Sequence, residues 1–256
     1  MNTILYVTFL FMTLSASAQL KSIESGIYGW KNLPVKVEEG RETRHVMEGT
    51  SAHFEYLEIH ATTQMPGIKP RPAHANEDIE EIIIVKEGKL QMTIGDQTAI
   101  LGAGSVMLVP PQTMHALENI GDTNLTYYVM RFRSKKPMSI ERGKLAGGAM
   151  LLNKDSLEFK TNTKGGRRNY FDRPTAMCEN FEMHVTALNT KGPSHDPHAH
   201  IDSEIILVIE GNTEVAIDNK KYAGTAGDLY FINSKLIHGV SNASGMPCSY
   251  FAFKWR

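Results

Sequence analysis

The chain has 256 residues, with 27 lysines and arginines against 28 aspartates and glutamates, a formal net charge of −1 and 41% hydrophobic residues. This balance excludes a basic nucleic-acid binder and a disordered polyelectrolyte, and it fits an ordinary soluble globular chain. The only two cysteines, Cys178 and Cys248, exclude a disulfide scaffold; both lie in apolar surroundings where free buried thiols are expected ahead of a bridge, even in an oxidising compartment.

Residues 1–18 carry an apolar stretch from Ile4 to Leu14 and end in Ser15-Ala-Ser-Ala18 before Gln19. Although a positively charged start is missing, this reads as a secretory signal with small-residue cleavage, too short to span a membrane. The mature chain is expected to begin near Gln19 and to be periplasmic or secreted, with no lipid anchor on a cysteine and no membrane insertion.

Short strand-like runs follow. Phe54-Glu-Tyr-Leu-Glu-Ile-His60 and Phe181-Glu-Met-His-Val-Thr-Ala187 partly alternate, and turns such as Gly95-Asp96 and Asp218-Asn219 separate other runs. Little helix is evident, and an all-β fold of jelly-roll sandwiches is expected. A repeat sets the domain count: Glu81–Gly88 aligns with Glu204–Gly211 at an offset of 123 (211 − 88), which also carries Gly104 to Gly227, His115 to His238, Asn119 to Asn242 and Tyr127–Arg133 to Tyr250–Arg256. A tandem duplication of β-barrels is implied, each barrel offering a sheet face to the other. The expected division is a first barrel over 19–135, then linker and second barrel over 136–256, with the Lys-, Arg-, Gly- and Asn-rich stretch 134–169 crossing between them.

The chemistry concentrates in Gly192-Pro-Ser-His-Asp-Pro-His198-Ala-His200-Ile-Asp-Ser-Glu204, followed by an apolar run to Gly211. On an extended strand His198, His200 and Glu204, all at even positions, point to one side. Farther on, Gly227–Asn242 reads as strand, turn at Asn233-Ser234 and strand, and brings His238 as a fourth ligand. Three imidazoles and a carboxylate suit one divalent transition metal ion, Mn, Fe, Ni or Zn, with open positions for a small-molecule substrate.

The pattern resembles the two cupin motifs, G-x5-H-x-H-x3-E-x6-G and G-x5-P-x-G-x2-H-x3-N. The first is matched at every fixed position by Gly192, His198, His200, Glu204 and Gly211; the second departs only at Asn233 and Lys235. The resemblance covers nearly the whole mature chain and implies two tandem cupin barrels. In the first barrel the corresponding residues are His74, Asn76, Glu81 and His115, with an asparagine in place of one histidine. Glu80 shares strand parity with His74, but the register with Gly88 and His115 favours Glu81, reached through a one-residue bulge. An amide is a poorer donor for such metals, so this second site is expected to be empty or weak.

Among other polar residues, His195 reads as a rim group and Tyr230 as a packing residue. Glu182 and His184 share a strand face, as acid and base if it faces inward and solvated if outward. Arg167, Arg168 and Arg173 could meet an acidic substrate or stay in solvent. Parity assigns Ile206, Val208, Leu236 and Val240 to the pocket wall, which predicts a largely apolar lining and a flat or weakly polar substrate. The resemblance implies a metal-dependent enzyme on a small oxygenated molecule. A dioxygenase is slightly favoured; the alternatives are a sugar-acid lyase or isomerase, or a non-enzymatic ligand-binding cupin. Asn76 counts against an oxalate decarboxylase, which keeps the motif in both halves, and the intact second set counts against ureidoglycine aminohydrolases. A homo-oligomer is left open.

Overall fold

The computed structural model describes residues 20–256, so the expected signal segment 1–18 lies outside the described residues. Two seven-stranded antiparallel sheets dominate. In the first, strand Leu125–Ser134 runs between Phe54–Gln64 and Glu80–Glu87; in the second, Cys248–Trp255 runs between Phe181–Leu188 and Ser203–Glu210. A three-stranded sheet (Leu90–Ile94, Gln97–Leu101, His115–Asn119) closes the first barrel, and a four-stranded one (Gly192–Pro193, Asn212–Ile217, Lys220–Thr225, His238–Asn242) closes the second. The single α-helix among the described residues is the six-residue Ile140–Leu145, capped by Ser139 Oγ accepting from the Arg142 amide.

The unbroken apolar runs of the repeat are explained by burial on both faces. Ile205 and Leu207 point into a core shared between the two large sheets, whereas Ile206 and Val208 point into the second barrel; Ile82 and Ile84 against Ile83 and Val85 divide in the same way in the first. The shared core is aromatic. Phe54 of the first barrel stacks on Trp255 of the second, with centroids 5.2 Å apart and planes 4° from parallel, and on Phe132 at 4.7 Å. All three rings are at most 1% exposed. Burial of each such side chain is worth roughly 2–3 kcal/mol, so the junction is a core and not a loose domain contact.

Strand pairing crosses the expected division at 135/136 twice. Gly26–Tyr28 adds to the edge of the second barrel's sheet through Leu229–Ile232, and Met150–Leu152 adds to the first barrel's sheet through Val106–Val109. The stretch 134–169 is therefore not a plain connection. It supplies that strand and also Lys160–Asn162 and the start of Gly165–Arg173, both in the second sheet. The thiols fall in different cores, Cys178 in the shared one and Cys248 inside the second barrel, and both are free and buried.

Candidate metal centre

His198 and His200 precede strand Ser203–Glu210 and do not continue it, a correction to the single extended strand the spacing suggests. Backbone pairing places them instead. His198 exchanges two hydrogen bonds of 2.9 Å with His238, and the Lys235 amide donates to the His200 carbonyl at 2.8 Å. Lys235, at φ 68°, takes the left-handed turn that favours glycine, so this departure from the motif leaves the turn intact. Asn242, the last motif residue, is buried and donates to the carbonyls of Leu188 and Met246, which ties the histidine strand to its neighbours.

The four residues meet. Ligand atoms of His198, His200 and His238 all lie within 4.8 Å of one another. Glu204 Oε2 is 3.0 Å from both His200 Nε2 and His238 Nε2. The opposite ring nitrogens face backbone carbonyls, His200 Nδ1 that of Asp202 at 3.1 Å and His238 Nδ1 that of Leu236 at 2.9 Å. An imidazole that donates from Nδ1 keeps its lone pair on Nε2, so two lone pairs converge on a carboxylate oxygen and call for positive charge between them. That donor set fits a divalent cation.

The carboxylate and the imidazoles also stabilise one another's charge. Burial alone would raise Glu204, but His200 and His238 outweigh it and hold its pKa at about 2. Burial would lower His238, and its bond to Glu204 reverses this and raises it. Burial and then the neighbouring histidines lower His198, which keeps that ring neutral and able to ligate.

Above the four lies a cavity of about 580 Å³. Its lining corrects the apolar expectation. Ile206 and Val240 are part of the wall, but Val208 and Leu236 lie with the barrel core, and the remaining wall is mostly polar. Glu182 and His184 face inward: Glu182 Oε1 accepts from Arg167 at 2.6 Å and lies 3.2 Å from His184 Nδ1, while Oε2 is 3.1 Å from Lys254 Nζ. His184 first, then Lys254 against the opposing effect of burial, hold the Glu182 carboxyl far below the usual range. His195 is an exposed rim residue whose ring meets His198 edge-on at 4.6 Å, and Tyr230 is buried and bonded to Thr213. Of the three arginines only Arg167 reaches this cavity; Arg168 donates to the Leu157 carbonyl and Arg173 to those of Ala146 and Gly148.

Two residues behind the site carry no motif. Buried Asp202, whose carbonyl fixes His200, is itself held by Arg256 Nη1 at 2.7 Å. Its even position between His200 and Glu204 was the only signal available in the sequence.

In the first barrel His74 pairs with His115 through the same backbone bridge, and His115 Nε2 is 3.1 Å from Glu81 Oε2. Glu81, not Glu80, thus faces the barrel. The extra residue is absorbed in the loop before strand Glu80–Glu87 and not by a bulge. Asn76 Oδ1 accepts from Arg131, and the cavity there is smaller, about 260 Å³.

Similar structures share the whole architecture. Protein Ylba from E. coli is 16% identical over 95% of each chain with a TM-score of 0.72. An oxalate decarboxylase formate complex from Lactobacillus farciminis is 14% identical, covering 91% of this chain and 87% of that one with a TM-score of 0.70. AerE from Microcystis aeruginosa is 15% identical, covering 87% and 96%, with a TM-score of 0.67. At these identities what is shared is the fold. No curated protein matches the sequence. The cupin domain family model matches residues 62–131 and 184–254, the segments that carry all eight residues of the two candidate ligand sets, and the chain belongs to that family with two copies of its domain.

Proposed function

We propose that the second barrel is a metal-dependent catalytic site for a small, oxygen-rich, anionic or polyhydroxylated substrate, working by proton transfer in the manner of a lyase or isomerase. The observation that carries this reading is one cavity lined by His198, His200 and Glu204, with buried His238 behind Glu204, together with the inward-facing Arg167, Glu182, His184 and Lys254. The four ligands would hold one first-row divalent ion, which supplies Lewis acidity toward a substrate oxygen. Arg167 and Lys254 offer positive charge for a carboxylate or hydroxyl, and their shared Glu182 keeps them aimed across the cavity. His184, with Nδ1 3.2 Å from Glu182 Oε1, is placed to take or give a proton. A free phenol or flavonoid fits this wall poorly, because burying the polar groups without partners costs free energy.

The dioxygenase reading keeps the same ligand set, since the same ion with open positions could engage O₂. The decarboxylase with formate among the similar structures supports a small carboxylate as substrate class. Sugar acids and short hydroxy acids incubated with metal-loaded protein, with O₂ uptake and product mass followed together, separate the readings. A dehydrated or isomeric product at constant O₂ supports the proposal. O₂ consumption with an oxygenated product would replace it with dioxygenase chemistry, and saturable binding without product would leave a binding protein. Export is proposed on the signal-like segment alone, and N-terminal sequencing of the mature chain tests it.

A further inference from the structure

The first barrel retains most parts of a metal centre. The rings of His74 and His115 are 4.3 Å apart. His115 Nδ1 lies 3.1 Å from the Thr113 carbonyl, which leaves Nε2 facing Glu81 as His238 faces Glu204. The Gln112 amide donates to the Asn76 carbonyl at 2.7 Å, as Lys235 does to His200. Asn76 in place of a histidine is one difference between the barrels. A second is larger in charge. Arg131 Nε lies 3.1 Å from Glu81 Oε1, and its Nη2 lies 3.3 Å from Asn76 Oδ1. One guanidinium therefore bonds two of the four ligand positions.

The corresponding cation of the second barrel is placed differently. Lys254 occupies the position of Arg131, paired in register with Glu182 as Arg131 is with Glu58. Lys254 is drawn to Glu182 at 3.1 Å and leaves Glu204 to the histidines. In the first barrel His60 lies 2.6 Å from Glu58, and Arg131 bonds the ligand carboxylate instead.

We propose that the Arg131 guanidinium is the resident cation of the first barrel and keeps a metal ion out of a latent site formed by His74, His115, Glu81 and position 76. Arginine stays protonated at any working pH and binds a carboxylate through fixed, directional N–H groups. An incoming divalent ion must displace it from Glu81 and then sit beside its charge. Loss of one imidazole weakens the site, and the guanidinium closes it. The second barrel enters only as a geometric reference, so the inference stands apart from the reaction proposed there.

The test is Co²⁺ binding to the full chain, read by equilibrium dialysis and by the visible absorption of the bound ion, in a His200→Ala parent that removes the second-barrel site. The parent and its Asn76→His variant are expected to bind no ion tightly. Arg131→Met with Asn76→His is expected to bind one, at least ten-fold tighter than Asn76→His alone, and Arg131→Met by itself to bind one weakly. Circular dichroism and a thermal melt check that each variant folds. If methionine unsettles the barrel, Arg131→Gln, which keeps a donor for Glu81 without the charge, is expected to give the same gain. Tight binding in Asn76→His alone, or no ion in either folded Arg131 variant carrying Asn76→His, overturns the proposal.

Discussion

The two barrels bury the same carboxylate at the same point of the repeat, Glu81 at 5% and Glu204 at 8% exposure, and neutralise it differently. Glu204 receives two histidines and faces an open polar cavity; Glu81 receives one histidine and an arginine in a smaller one. The cation from the central strand has two cross-strand carboxylates and bonds a different one in each barrel. Lys254 joins Arg167 and His184 at Glu182, whereas Arg131 leaves Glu58 to His60 and bonds Glu81. A duplicated fold can keep its core while the surroundings of this carboxylate diverge, since none of the candidate ligands belongs to the hydrophobic clusters that hold the sheets together.

The most direct way to break this comparison is to remove the charge on which the second site depends. Glu204→Gln keeps the shape and removes the anion shared by His200 and His238. Metal content measured by elemental analysis is expected to fall from about one ion per chain to under a tenth of that, with at least a hundred-fold loss of any turnover. The matching change, Glu81→Gln, is expected to leave metal content unaltered. Equal losses in both would show that the barrels are not divided as described.

Next in size is the core the barrels share. Trp255→Ala removes a fully buried ring stacked on Phe54 across the junction and is expected to cost about 4 kcal/mol in urea unfolding, in a single transition. Two separated transitions, with only the second barrel weakened, would show the junction to be a contact between independent domains.

Much of this was legible beforehand. The duplication, the all-β fold and the four converging residues could be read from spacing, although parity gave the right convergence for an incomplete reason: His198 and His200 are placed by pairing with His238 and by the Lys235 turn, not by continuation of one strand. Parity also names the face a residue occupies but not what faces it. The polar wall comes from strands Phe181–Leu188 and Cys248–Trp255, whose inward residues Glu182, His184 and Lys254 sit among apolar neighbours that looked like the dominant signal. Arg131 and Lys254 each have two cross-strand carboxylates, and no single-residue pattern reports which one each bonds. Strand exchange at Gly26–Tyr28 is hidden because three residues carry too little periodicity to read.

Glu80 sharpens the comparison from the other face of the sheet. Its counterpart in the repeat is Ser203, buried with an unpartnered hydroxyl. Glu80 instead accepts from Thr175 Oγ1 at 2.5 Å and from the amides of Met177 and Ala176 at 3.1 and 3.2 Å, across the junction. Burial outweighs these bonds and raises its pKa from 4.5 to about 7. The folded chain therefore keeps this proton over a range where the unfolded chain has lost it, so stability is highest below the ordinary carboxylate value and falls as pH rises toward 7. At about 1.4 kcal/mol per pKa unit the loss is roughly 3 kcal/mol at most. Urea midpoints of wild type and Glu80→Gln from pH 4.5 to 8 should differ in slope over this window and run parallel above it. Parallel curves throughout would mean the carboxylate is already ionised in the fold.

The smallest expected effect lies in the two turns that position the ligand loops. Lys235 at φ 68° and Gln112 at φ 60° occupy equivalent positions, each strained for a residue with a side chain and each donating its amide to the residue that follows the same spacing, His200 or Asn76. Glycine removes the strain in the fold but loosens the unfolded chain, and the two effects oppose each other. Lys235→Gly and Gln112→Gly are each expected to change stability by less than about 1 kcal/mol in urea unfolding. The amide is kept in both, so the His200 carbonyl remains held and metal content should stay at the wild-type value. A lowered metal content in Lys235→Gly with unchanged stability would show that the lysine side chain, and not the backbone turn alone, fixes the loop carrying His198 and His200; the same change at Gln112, where a guanidinium fills the site, should leave metal content unmoved in either case.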